Sequence, residues 1–300
     1  MQTFKGHMPA LVTTFTPDGD TNKDQMRGLT AYHLSKDVGG FYVCGGTGQG
    51  VHTSVANRKR AAEAVIDEVA GAKPVLVHVG SMVASDAVEL ARHAAAHGAA
   101  AISSILPPGY TGMESLVAYF TELSRAAPDI PLLPYLVNAT IDVPLLVERL
   151  CAIPTIAGTK YTGPNMDEMK KVIEIGRATS KSGTWSVMAG MDQQCVFAAM
   201  AGADGNIGSS LNVIPGPYRL IWELVGRGEH EAAMEMQLKA TAIIDTMRRH
   251  NYTAGLRFGL NLLGVKCSPP CLPELPLDEE SKKALQRDLE AVNFAELAAL

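Results

Sequence analysis

Eight short apolar runs, separated by amphipathic stretches of helical periodicity, leave few architectures open to this 300-residue chain. The runs fall at 9–15 (PALVTTF), 40–44 (GFYVC), 74–79 (PVLVHV), 100–106 (AAISSIL), 131–137 (PLLPYLV), 155–160 (TIAGTK), 185–190 (WSVMAG) and 204–208 (DGNIG). Between them, segments such as ANRKRAAEAVIDEVA, SDAVELARHAAAHG and MESLVAYFTELSRAA place apolar residues three and four apart and end near a small residue or glycine. Strands that are apolar throughout and are joined by helices belong to parallel sheets covered on their outer side. Eight such units at intervals of roughly 20 to 35 residues predict a closed α/β structure, a (β/α)8 TIM barrel. A doubly wound open sheet is the alternative.

After Pro215 the pattern changes. Helical segments follow at 218–226, 229–250, 254–264 and 279–292, with no further strand. We therefore expect a barrel over residues 1–226 and a C-terminal helical appendage over 227–300. No Pro/Ser-rich linker or low-complexity tract separates them, so the appendage is expected to pack on the barrel. Active sites of such barrels lie at the C-terminal ends of the strands, which is where chemistry is to be sought.

Composition narrows the function. The 26 Lys and Arg against 31 Asp and Glu leave a net charge of −5, and no basic run offers a footprint for nucleic acid or anionic lipid. With 47% hydrophobic and 19% charged residues, the chain has the make-up of a globular protein. No apolar stretch reaches the ~18 to 20 residues of a membrane span, and the first residues lack a basic region followed by a long apolar one. The five cysteines, Cys44, Cys151, Cys195, Cys267 and Cys271, are odd in number and mostly sit in apolar runs, as expected of reduced thiols in a cytoplasmic protein. The Asn-x-Thr sequons at Asn138 and Asn251 are then chance matches.

Three features carry chemistry. Gly45-Gly46-Thr47-Gly48-Gln49-Gly50 follows the second strand, and its small residues let backbone N–H groups converge on an anion. Val51 and His52 stand where a nucleotide-binding P-loop needs Lys and Ser or Thr, and Val51 also spoils a dinucleotide fingerprint, so the segment is either a tight turn or a carboxylate cradle. Lys160 ends the sixth apolar run and is aimed at the barrel mouth. Burial there favours the neutral amine, which attacks ketones; the alternative is an ion-paired lysine at the rim. Tyr135, on the fifth strand, is a proton shuttle or a core aromatic. His93 and His97 share a helix face but lack the Glu of H-E-x-x-H, and Cys267 and Cys271 lack a second ligand pair, so no metal site is expected. No G-x-S-x-G elbow occurs.

The order and spacing of GGTG after the second strand, Tyr135 on the fifth and Lys160 on the sixth resemble the N-acetylneuraminate lyase and dihydrodipicolinate synthase superfamily of Schiff-base-forming barrels. The resemblance spans the chain, including Ala10-Leu11-Val12-Thr13-Thr14-Phe15, Phe41-Tyr42-Val43, Lys160-Tyr161-Thr162 and Gly202 to Ser209. It implies that Lys160 forms an imine with pyruvate or a longer 2-oxo acid and that Tyr135 moves protons. Thr47, with the N–H groups of Thr47 and Gly48 in the loop that contains Gly46, would hold the carboxylate. Thr162, Gly190, Asp192, Gln193, Ile207, Ser209 and Tyr110 are the implied substrate-binding residues. A homotetramer is implied, as are small-molecule partners (a 2-oxo acid and an aldehyde) and no metal or bound cofactor.

The departures from the family pattern bear on specificity. Thr140 stands where the synthase branch places an Arg five positions after the strand Tyr, which argues against a synthase-like condensation. Gly190, Asp192 and Ser209 match the lyase branch, whereas Gln193 replaces its Glu. Gly46 replaces a hydroxyl residue before the loop Thr, and Leu136-Val137-Asn138 replaces Asn-x-Pro after the Tyr. The expected activity is cleavage of a 2-oxo-3-deoxy sugar acid resembling N-acetylneuraminate to pyruvate and an aldehyde. Dehydration of a deoxy-keto-sugar acid through the same imine is the alternative, and a 2-oxo acid binder without catalysis is a third reading.

Overall fold

The computed structural model describes residues 1–109, 112–137 and 140–300. Among strands β1 (Gly6–Pro9), β2 (Phe41–Val43), β3 (Val75–His78), β4 (Ala101–Ile105), β5 (Leu132–Val137), β6 (Gly158–Thr162), β7 (Ser186–Ala189) and β8 (Gly205–Gly208), β2 to β8 pair in parallel, each with its chain neighbour, and β8 returns to β1. The barrel closes between β1 and β2: the Gly39 N–H donates to the His7 carbonyl at 2.8 Å and the Leu11 N–H to the Tyr42 carbonyl at 2.9 Å.

Helices α1 (Lys23–Ser35), α2 (Val55–Val69), α3 (Ala84–Ala96), α4 (Met113–Ala126), α5 (Val143–Leu150), α6 (Met166–Thr179), α7 (Cys195–Ala201) and α8 (Pro215–Gly226) follow the strands in turn. α9 (His230–Arg249), α10 (Tyr252–Leu262), α11 (Glu279–Glu290) and α12 (Phe294–Ala299) form the C-terminal part. Several helices begin at a residue whose side chain accepts a first-turn N–H, among them Asn22, Ser54, Asp142, Asn165 and Asn251, each such cap contributing about 1 kcal/mol. The C-terminal helices contact the strand-following ones and the loops between them. Gln237 of α9 accepts from the Val196 N–H and donates to the Asp192 carbonyl, and the Lys36 amine donates to the Ala298 carbonyl.

Two expected strands shift. The first lies at Gly6–Pro9 rather than 9–15, because GHMP is the segment in register with β8 and the apolar residues after Ala10 form a buried loop at the mouth. The sixth runs from Gly158 to Thr162 rather than 155–160, so Lys160 lies at its centre rather than its end. α12 was not anticipated by the periodicity.

The strand period of two divides the core. Phe41, Val43, Val75, Val77, Leu132, Leu136 and Val187 face the helices, while Phe4, Met8, Tyr42, Leu76, Leu133, Met188 and Ile207 fill the barrel interior. Two residues on from Leu133 the inward position is Tyr135. Its partner across the β5–β6 ladder is Lys160.

Candidate active site

Lys160 is buried, and its Nζ lies 4.2 Å from the Tyr135 ring centroid and 4.3 Å from that of Tyr42. Among the described residues no carboxylate pairs with the amine, so it is not an ion-paired rim lysine. Two aromatic faces take the place of a counter-ion, and a ring face at that distance stabilises an ammonium or an iminium alike. Tyr42 is itself wholly buried and donates to Ser103 Oγ at 3.1 Å.

The Tyr135 ring stands edge-on to Tyr42 and to His78, with centroids 6.3 Å away in both cases. His78 Nδ1 lies 3.1 Å from the Cys44 carbonyl, and its Nε2 accepts the Ile105 N–H at 3.1 Å, which assigns the proton to Nδ1. Burial, with the nearby Arg58 and Lys160 charges, holds this imidazole well below its ordinary pKa, so it is a neutral packing wall.

The Gly-rich loop is shaped by contacts. A Cβ at Gly45 would meet the Tyr42 ring at 2.6 Å, one at Gly48 the Leu11 carbonyl oxygen at 2.8 Å and one at Gly50 the Cys44 oxygen at 1.7 Å, whereas Gly46 is open. The Gln49 and Gly50 N–H groups turn back to the carbonyls of Gly46 and Gly45. Those of Gly46, Thr47 and Gly48 have no partner among the described residues, which is what a carboxylate cradle requires. Cys44 and Gln49 hold positive φ of 61° and 54° at the two bends. Burial pushes the Cys44 thiol up to about 11, so it is no nucleophile at neutral pH.

Gln49 anchors the loop from behind. Its Nε2 donates to the Cys271 carbonyl at 2.6 Å, and its Oε1 accepts from the Cys271 N–H and from Arg257 Nη2, both at 3.1 Å. Arg257, 1% exposed and without a carboxylate partner among the described residues, also donates to the Thr13 carbonyl at 2.8 Å.

At the ends of β6, β7 and β8 the expected substrate-binding residues assemble. Thr162 Oγ1 is buried without a partner among the described residues, and Gly190 has no room for a side chain beside it and Lys160 Cε. Asp192 Oδ2 accepts from the Ser210 N–H at 2.9 Å and hydroxyl at 2.6 Å, while Oδ1 is buried and unpartnered among the described residues. Burial raises the Asp192 pKa against the opposing pull of Ser210 and Lys160. Ser209 and Tyr252 hydroxyls lie 2.8 Å apart. Turned with its oxygen toward Arg248, the Gln193 amide accepts from both guanidinium nitrogens, at 2.7 and 2.5 Å, which leaves its NH2 group to donate.

Ile207 belongs to the wholly buried interior layer and forms floor rather than wall. Tyr110 lies outside the described residues. Tyr42, His78, Arg248, Tyr252 and the Gln49–Arg257 link were not singled out from sequence. Tyr42 could have been, as the one polar-tipped residue at an inward position of its strand; the others depend on partners far away in the chain.

A sequence model of the dihydrodipicolinate synthetase family matches residues 3–292. N-acetylneuraminate lyase 2 of Escherichia coli O6:H1 is 27% identical over 289 residues, covering 95% of this chain and 93% of that protein. The solved N-acetylneuraminate lyase of Proteus mirabilis superposes with a TM-score of 0.91 at 27% identity, over 98% of this chain and 100% of its own. A prophage protein of the dihydrodipicolinic acid synthase family from Escherichia coli K12, solved in complex with pyruvate, gives 0.89 at 25% identity, over 98% and 100%.

Proposed function

This chain belongs to the dihydrodipicolinate synthetase family, and from that premise we propose that it is a Schiff-base lyase that cleaves a 2-oxo-3-deoxy sugar acid of the N-acetylneuraminate kind to pyruvate and an aldehyde. The relatives named as N-acetylneuraminate lyases, at 27% identity over nearly full length, support the reaction class. The observation that carries the reading is the Lys160 amine, buried without a carboxylate partner among the described residues and directly across the ladder from Tyr135.

In this reading Gly46 to Gly48 and the Thr47 hydroxyl hold the carboxylate of the 2-oxo acid. The Lys160 amine adds to the C2 ketone and water leaves, giving an imine that is protonated against the faces of Tyr42 and Tyr135. Tyr135 gives its phenolic proton to the imine nitrogen and then takes the proton of the C4 hydroxyl. The C3–C4 bond breaks, its electron pair moves into the iminium to make an enamine, and C4 departs as an aldehyde. Protonation at C3 and hydrolysis then release pyruvate and free Lys160. The imine is the electron sink, so the chemistry calls for no cofactor. Asp192 Oδ1, Thr162, Ser209 and the Gln193 amide line the side on which a polyol chain would lie.

The test is incubation with pyruvate and borohydride, followed by intact mass and peptide mapping. A reduced pyruvate adduct on Lys160, absent in Lys160→Ala, is expected, together with free pyruvate from N-acetylneuraminate. No adduct with pyruvate or with a deoxy-keto-sugar acid overturns the reading.

Dehydration is the second reading, favoured by Gly46: no hydroxyl stands before Thr47, although the position has room for one. Product analysis separates the two, since only cleavage yields pyruvate. We further propose residues 1–226 as the catalytic unit, 227–300 as its helical support, and a cytoplasmic homotetramer as the working form; light scattering tests the assembly. Among the described residues no helix is long and apolar enough to cross a membrane.

A further inference from the structure

On the outer ring of helices, away from the barrel mouth, α2 and α3 bring together three side chains that the reaction does not use. Glu63 of α2 and His93 and His97 of α3 each offer a ligand atom within 4.8 Å of the other two. Glu63 Oε1 lies 3.1 Å from His93 Nε2 and 4.0 Å from His97 Nε2. The i, i+4 spacing stacks the two imidazoles, with centroids 4.1 Å apart and planes inclined by 28°. From sequence the pair lacked the Glu of H-E-x-x-H between them; the fold brings Glu63 to it from the neighbouring helix.

We propose that Glu63, His93 and His97 form a binding site for a divalent transition metal of the zinc type. Two imidazole nitrogens and one carboxylate oxygen suit zinc, cobalt or nickel, and they do not suit magnesium or calcium, which prefer all-oxygen shells. The fourth position is left to water.

The surrounding hydrogen bonds fit that use. His97 Nδ1–H faces the His93 carbonyl at 3.3 Å, which leaves Nε2 with its lone pair. Lys23 donates to Glu63 Oε2 at 2.8 Å, so Oε1, which faces both imidazoles, is the oxygen presented to a cation, and Lys23 fixes its direction. His93 Nε2, bonded to Glu63 when no ion is bound, exchanges its proton to Nδ1 through solvent as the metal enters. His97 is 44% exposed and gives the ion a way in.

The site would clamp two helices that flank β3. α2 begins just beyond the Gly-rich loop, and its Arg58 donates to the carbonyls of His78 and Gly80 at 2.7 and 2.9 Å. An ion held between α2 and α3 therefore braces the outer wall behind the loop and stabilises the folded chain by mass action.

Calorimetric titration of the full chain with Zn2+ tests the site, with Co2+ absorption as the probe of nitrogen ligation and Mg2+ as control. We expect one Zn2+ per chain, a visible band with Co2+, a higher Tm with Zn2+ but not Mg2+, and binding weakened at least about tenfold in His97→Ala. His93→Ala/His97→Ala is expected to lose both the binding and the rise in Tm. Its fold is checked by circular dichroism, and its borohydride-trapped pyruvate adduct is expected to be unchanged, so failure here is distinct from failure of the lyase reading. No Zn2+ uptake by the wild-type protein, or an equal affinity in the folded double variant, overturns the proposal.

Discussion

Gly190 leaves the space that the Thr162 hydroxyl occupies: a Cβ at position 190 would stand 1.7 Å from Thr162 Oγ1 and 3.2 Å from Lys160 Cε. Gly208 stands in the same relation to Asp192, whose Oδ1 would lie 1.6 Å from a Cβ there. Both glycines are therefore part of the site by subtraction.

Gly190→Ala should displace Thr162 and the Lys160 stem together. A misplacement of about 1 Å costs on the order of 10²-fold in rate, so kcat/KM with the sugar acid should fall by about that factor. Gly46→Ala, where no described residue stands within 4 Å, should leave both Tm and the pyruvate adduct unchanged. Steady-state kinetics and mass spectrometry of the two variants side by side check the contrast.

Tyr135→Phe keeps the ring beside the amine and removes only the phenol. The pyruvate adduct should still form under borohydride, while kcat falls by about 10²–10⁴-fold, the span of a lost general acid–base group. Equal loss of trapping and turnover would instead assign Tyr135 to holding the lysine.

Gln49→Ala removes the acceptor that Arg257 Nη2 uses and the donor to Cys271. Leaving part of a buried guanidinium unpaired costs about 1–3 kcal/mol, visible as a lower urea midpoint. Because the loop rather than the amine is loosened, KM for the 2-oxo acid should rise by more than kcat falls.

Stability should decline in mild acid. His33 is fully buried with neither nitrogen partnered among the described residues, and burial, aided by the Lys36 charge, lowers its pKa to about 3. The unfolded chain takes up this proton below about 6.5, so between those values it binds more protons than the folded one and stability falls as pH falls. His33 alone accounts for about 2 kcal/mol between pH 7 and 5. Urea unfolding at both pH values should show the drop, and His33→Leu should remove that share, leaving the dependence contributed by His7, His78 and His93, whose pKa values are also lowered.

Much of this was legible in the sequence because strand and helix periods are local. The order of eight strands, the inward position of Tyr135 and the placing of Lys160 on the sixth strand all follow from neighbours within a few residues. The first strand escaped because GHMP carries little apolar signal and is held by its register with β8, whereas PALVTTF is apolar for being buried under the mouth. The third partner of His93 and His97 escaped because Glu63 sits on another helix. Gln49 and Arg257, 208 residues apart, meet only through closure of the whole ring.

That last distance sets an order of events in synthesis. All eight strands lie before residue 209, so the barrel wall can assemble while the remainder is still being made. The loop that would grip the 2-oxo acid is pinned only when Arg257 and Cys271 have left the ribosome and reached Gln49 and Thr13. The nascent chain thus carries Lys160 well before it carries Arg257 and Cys271, the α10 residue and the following loop residue that tie down Gln49.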